Sequence, residues 1–206
     1  MTKRVFIGVG HGGSDPGVCA NGLRESDVNL TMALAMKAEL ERHGVTVGIS
    51  RIRDEDDRLA EEIRECNAFA PDLAVEVHNN AGGGDGFECY ISGRNQTARQ
   101  LAERIEKEVK GIGQNSRGVK VSTALGWVRQ VKAPAVLCEG FFLDSTDRLI
   151  ADTAEKQQRF GQAYARGVLA QLGITVQPLG QEQPAALTDR KKTQERFGFS
   201  DDTMIY

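Results

Sequence analysis

Short apolar runs alternate along the chain with longer stretches in which apolar residues recur every three or four positions. VFIGV (5–9) has the pattern of a buried strand. It stops in HGGSDPG, and turn residues follow as far as position 24. From 25 to 43, Glu25, Val28, Met32, Ala35 and Met36 fall on one face of a predicted helix, which Gly44 ends. VTVGISR (45–51) predicts a second strand. A second helix is expected over 54–70, with Leu59, Ile63 and Cys66 facing in and Pro71 stopping it. DLAVEV (72–77) is a third strand ending on His78-Asn79-Asn80, and GFECYIS (86–92) a fourth. Ala98, Leu101, Ala102, Ile105 and Val109 carry a helix over 95–110. VKVS and GWVRQV, within 118–133, predict short strands or a hairpin. PAVLCEGFF (134–142) is a core strand, and 145–172 reads as a closing helix with Phe160, Tyr164, Val168 and Leu172 in register.

Strands alternating with helices of this length predict an α/β fold. The expectation is a single mixed, mostly parallel twisted sheet with helices on both faces, of phosphorylase/hydrolase-like type. Sites in such sheets gather at the carboxyl ends of the strands, where His11, His78 and Glu139 are expected. No internal repeat is visible. Past Gly173 the character changes: QPLGQEQPAALTD (177–189) is linker-like. The expected division is a catalytic-type domain over 1–175, then a linker and C-terminal tail over 176–206.

Composition narrows the classes. Of 206 residues, 40% are hydrophobic and 27% charged, which fits an ordinary globular protein. A net charge of −3 gives no basic face for nucleic acid. No apolar run approaches the ~18 residues of a membrane span, so no membrane insertion is expected. The first apolar run, five residues long, is shorter than a signal-peptide core. The expectation is a protein held in the cytoplasm until released, or one whose signal has been removed. Cys19, Cys66, Cys89 and Cys138 lie far apart with no CxxC, which argues against a zinc knuckle and fits reduced thiols. The oligomeric state is not legible.

Candidate chemistry rests on few residues. Of the three histidines, His43 is expected as a solvated cation at a helix C-terminus. His11 and His78 each follow a predicted buried strand and precede small residues that open space. Either alone would be read as a structural histidine; two at neighbouring strand ends point to a site. Glu25 lies inside the apolar stripe of its helix, and an inward carboxylate needs a cation or hydrogen-bond donors. Two imidazoles and a carboxylate, with water in a fourth position, form a known zinc arrangement. Glu139 interrupts the apolar run AVLCEGFF; it is either a proton-transferring group or the partner of an arginine such as Arg129. Gly8, Gly10 and Gly13 fit G-x-G-x-x-G, yet the helix opens about eight residues too late to meet a pyrophosphate.

HGGSDPG, then Glu25 before VNL, then VHNNA and finally AVLCEGFFLDS together resemble the zinc-dependent N-acetylmuramoyl-L-alanine amidases of the amidase-3 family, over roughly residues 4–172. The resemblance implies one zinc ion per chain, with His11, Glu25 and His78 as ligands and Glu139 as the catalytic glutamate. It implies peptidoglycan as the partner, action on the cell wall, and hydrolysis of the amide between N-acetylmuramic acid and L-alanine. Asn80 matches the asparagine of the family's H-x-N block, where a supporting or substrate-contacting role is expected. Gly-rich 82–86, Trp127 and Phe141-Phe142 are expected walls of the substrate groove, Phe141 among the substrate contacts. Asn79 and Cys138 depart from the family's more usual residues. Two other functions stay open: a zinc peptidase or carboxypeptidase acting on wall peptides, and a catalytically silent wall-binding module.

Overall fold

In the computed structural model, which describes residues 2–93 and 95–177, six strands form one sheet in the order β4-β1-β5-β8-β6-β7. In chain order the elements are β1 (Arg4–Val9), a small ribbon of β2 (Cys19–Ala20) and β3 (Leu23–Arg24), α1 (Glu25–Arg42), β4 (Thr46–Ile49), α2 (Leu59–Phe69) and β5 (Leu73–Asn80). There follow β6 (Phe87–Ile91), α3 (Gln96–Gly111), β7 (Ser116–Val121), α4 (Gly126–Gln130), β8 (Ala135–Phe142), a 3-10 turn (Thr146–Ile150) and α5 (Ala154–Leu172). β4, β1, β5 and β8 are mutually parallel; β6 runs against β8 and is parallel to β7. The sheet is thus mixed and mostly parallel. The expected tail lies outside the described residues from 178 onward. Among the described residues no helix is long and apolar enough to cross a membrane.

Each sheet face has its own core, because alternate residues of a strand point to opposite sides. On one face Val5, Ile7, Val75, Val77, Val136 and Cys138 meet the apolar stripes of α1, α3 and α5. These stripes include Met32, Met36, Leu101, Ile105, Phe160 and Tyr164, all fully buried. On the other, Phe6, Ala74, Ala135 and Leu137 meet Ile63 and Cys66 of α2 and Trp127 of α4. Burying each large apolar side chain stabilises the fold by about 1.5–3 kcal/mol, before the cost of ordering it.

The structure corrects several expectations. GWVRQV forms no strand: α4 occupies 126–130, and Trp127 is buried in the second core, its indole N–H donating to the Val136 carbonyl at 3.1 Å. It therefore walls no groove. Residues 54–58 are not helical because their carboxylates bind another loop. Asp54 accepts from the Gly13 N–H at 2.8 Å and Asp56 from the Ser14 N–H at 2.7 Å. The closing helix is interrupted. Asp147 is drawn inward to accept from the N–H groups of Gly86 and Phe142, both at 2.9 Å, and α5 restarts behind the Thr153 cap. His43 is buried rather than solvated, its Nδ1 2.8 Å from the Glu39 carbonyl.

β8 contains a bulge that reassigns its aromatic pair. His78 faces Glu139 and Asn80 faces Phe142, so three steps on β8 match two on β5. Simple alternation puts Phe141 on the face of Glu139. The extra residue instead sends Phe141 into the first core against Phe160, fully buried, and brings Phe142 to the face of Asn80. Phe141 is a core residue, which corrects its expected place in the groove.

Candidate metal centre

β1 ends at Val9, and the chain turns out of the sheet through His11, whose φ of 63° is rare for a residue with a side chain. The loop returns through the β2–β3 ribbon so that α1 begins on Glu25, only 2% exposed. Two backbone N–H groups fix that carboxylate: Val18 donates to Oε2 at 3.0 Å and Asn79 to Oε1 at 3.1 Å. His11 Nε2 lies 3.3 Å from Oε2, and His78 Nδ1, from the carboxyl end of β5, lies 3.2 Å from Oε1. The imidazoles meet edge to face, their centroids 4.9 Å apart. His11, Glu25 and His78 each offer one ligand atom, all within 4.8 Å of one another. Two neutral nitrogens and one carboxylate oxygen are a donor set suited to zinc, so the residues fit the metal.

The remaining ring nitrogens also have partners. His11 Nδ1 lies 2.8 Å from Asp15 Oδ2, and His78 Nε2 lies 3.2 Å from Glu76 Oε1. Bonding to Glu25 raises the His11 pKa against the opposing effect of burial. Burial alone would lower His78, but its bonds to Glu25 and Glu76 push it well above the ordinary range. Burial would raise Glu25, yet the bonds from both histidines hold it far below the usual carboxylate range. The triad is thus preset as an anionic carboxylate gripped from two sides.

Glu139 pairs in register with His78 across the β5–β8 ladder and with Glu88 across β8–β6. Its Oε2 is buried without a hydrogen-bond partner. Burial pushes its pKa up to about 7; His78 opposes the shift, while Glu25 and Glu76 add to it. No ion pair to Arg129 is found among the described residues. Arg129 instead lines a cavity of about 310 Å³ with Ser92, Ser122 and Thr123, towards the start of β8. Asn80 shares the face of His78, its Nδ2 donating to Glu88 Oε1 at 3.0 Å. Glu88, 3% exposed, also receives Arg117 Nε at 2.9 Å and the Lys120 ammonium.

Sequence reasoning missed the groups that hold this site. Glu76 had a signal: an acid inside an apolar strand, two positions before a candidate histidine and so on its face. Asn29 and Arg51 had none. Asn29 donates to the Gly10 carbonyl at 2.9 Å. Buried Arg51 donates to the carbonyls of Val9 (3.2 Å), Gly10 (3.3 Å) and Ser26 (2.8 Å). They tie β1's exit to α1, a contact between segments that no local pattern encodes.

The family model described as N-acetylmuramoyl-L-alanine amidase matches residues 5–170. The chain is 38% identical over 156 residues to an endolysin of Bacillus phage SPP1, covering 71% of this chain and 57% of that protein. It is 36% identical over 170 residues to an N-acetylmuramoyl-L-alanine amidase of Bacillus licheniformis, covering 80% of this chain and 65% of that one. The chain therefore spans less than two thirds of the length of either relative. Among solved structures, an N-acetylmuramoyl-L-alanine amidase of Nostoc punctiforme superposes with a TM-score of 0.77 at 26% identity, covering 83% of this chain and 97% of that one.

Proposed function

Since the chain belongs to the N-acetylmuramoyl-L-alanine amidase family, we propose that it hydrolyses the amide joining N-acetylmuramic acid to L-alanine in peptidoglycan, with one zinc ion held by His11, Glu25 and His78. The observation that carries this reading is the convergence of those three side chains beside a buried, unpartnered Glu139. We assign the chemistry to residues 1–175. Zinc, when bound there, supplies Lewis acidity to the amide carbonyl and to a water molecule.

The chain's own residues do the rest. Glu139, near pH 7 in its tendency to ionise, is matched to a reaction that needs a base first and an acid afterwards. Its carboxylate takes a proton from the attacking water as the new C–O bond forms. The resulting carboxylic acid returns that proton to the alanine nitrogen as the C–N bond breaks. One water proton thus passes through Glu139 to the nitrogen. The other leaves the new muramic carboxylic acid for the freed alanine amine or solvent, so the products are a muramic carboxylate and an alanine ammonium or amine. Asn80 supports this face from the side by holding Glu88. Phe142, rather than Phe141, is the aromatic residue on the face of the candidate base.

Digestion of purified peptidoglycan with the zinc-loaded protein tests the reading. The expected product is newly exposed N-terminal alanine. Other new amino termini, or free amino acids, would make it a wall peptidase. No product with a full complement of zinc would leave a silent binding module.

A further inference from the structure

Behind His78, on the side away from Glu25, lies a second carboxyl layer that the reaction above does not use. Glu76, two residues earlier on β5, is 3% exposed, with Oε1 3.2 Å from His78 Nε2 and Oε2 buried without a partner. Beyond it Glu62 of α2, also 3% exposed, accepts from the Val9 N–H at 2.9 Å. Burial and the neighbouring Glu76 raise the Glu62 pKa well above the ordinary range.

Two glycines make room for these groups. A Cβ at Gly8 would stand 2.5 Å from Glu62 Oε1 and 3.1 Å from Glu76 Cγ; one at Gly10 would stand 2.2 Å from His78 Cε1. The G-x-G pattern that looks like a phosphate cradle in the sequence is clearance for an imidazole and the acids behind it.

An imidazole that ligates a metal is neutral and carries one N–H, and a carboxylate can only accept. With Glu25 on one side and Glu76 on the other, the proton's position decides which nitrogen offers a lone pair. A proton on Nε2 satisfies Glu76 and turns the Nδ1 lone pair towards the triad. A proton on Nδ1 sets the Nε2 lone pair against Glu76 at 3.2 Å in a buried site. A buried carboxylate with an orphaned oxygen costs stability, so an apolar residue would serve the strand better.

We propose that Glu76 is the positioning residue of His78: it accepts the Nε2 proton, fixes the tautomer whose Nδ1 faces Glu25, and thereby sets how tightly the triad takes zinc. The inference rests on the reading of His11, Glu25 and His78 as zinc ligands.

Zinc affinity measured against a competing chelator, with long-range 1H–15N spectra of the histidine rings, tests it in the wild type, Glu76→Leu and Glu76→Gln. Glu76→Leu is expected to bind zinc 10–100-fold more weakly and to lose the single Nε2–H pattern at His78. Glu76→Gln, whose amide oxygen still accepts from Nε2, is expected to recover most of both. Leu and Gln variants that both stay within twofold of the wild type overturn the proposal, as does an equal loss in both with the tautomer unchanged. If Glu76→Leu does not fold, the wild type decides alone: a zinc-loaded His78 without a proton on Nε2 overturns it. A wild type that takes up no zinc instead overturns the reading of the triad.

Discussion

Glu139 and His78 occupy one rung of the β5–β8 ladder, so the candidate base and a candidate ligand are positioned by the same backbone register. Their separation is set by strand pairing, the least deformable relationship in the sheet. Glu139→Ala is therefore expected to leave one zinc per chain while lowering turnover on peptidoglycan by about 10²–10⁴-fold. Metal analysis alongside wall-clearing assays checks this; clearing at the wild-type rate would remove Glu139 from the mechanism.

With zinc chelated, the same carboxyl predicts a pH dependence of stability. Burial places its folded pKa at about 7, above its ordinary value of 4.5. The folded state then holds the proton more tightly. The stabilising contribution is complete below 4.5, declines as pH rises, and is gone above 7. Glu139→Gln removes that decline, so it should gain up to ~3 kcal/mol relative to the wild type between pH 5 and pH 8. Glu25, Glu76, His11 and His78 act on the group from around it and are the same in both proteins. Urea unfolding of both at the two pH values is the measurement, and a pH-independent difference would count against the buried-carboxyl account.

Zinc should stabilise the protein against heat only while the triad is whole. At a free concentration of 100 Kd the expected gain is about 2.7 kcal/mol. His78→Ala should show no zinc-dependent rise in Tm, and chelation should return the wild type to its metal-free value. An equal zinc-dependent rise in His78→Ala would place the metal elsewhere.

The bulge in β8 makes its two phenylalanines inequivalent. Phe141→Ala should lower unfolding free energy by about 3–5 kcal/mol, because its ring fills the first core against Phe160. Chemical denaturation would show a loss near zero if the ring instead faced the groove.

Thiol titration separates the cysteines. Cys19 is exposed, whereas Cys66, Cys89 and Cys138 are buried and burial pushes the Cys66 thiol up to about 12. One of the four should react rapidly in the native protein and the rest only on unfolding. Rapid reaction of a second thiol would contradict either the packing of α2, which buries Cys66, or that of β6 against β8, which buries Cys89 and Cys138.

Much of the fold and the triad could be read from the sequence, because both leave local marks. Buried strands appear as apolar runs, amphipathic helices as a repeat of three and four, and Glu25 as an acid on the wrong face of such a helix. What failed depended on contacts between distant segments. The aspartates at 54 and 56 leave the helical state to dock on Gly13 and Ser14. GWVRQV coils because Trp127 finds the Val136 carbonyl. The exchange between Phe141 and Phe142 follows from one inserted residue that alternation cannot reveal.

β6 and β7 run against the other four strands, and this gives the rim around Glu139 two kinds of border. On the β1 side the rim is made where strands leave the sheet. On the β6 side it is made where strands enter, by a span from Asn80 to Phe87 that crosses the end of β8. That span is fastened at several points: Asp144 accepts from the N–H groups of Gly82 (2.7 Å) and Gly83 (3.1 Å), and the Gly84 carbonyl accepts from Ser145 Oγ at 2.7 Å. Residues added between those fasteners would heighten the rim without shifting any strand. The height of that border can therefore vary independently of the strand register that sets Glu139 opposite His78.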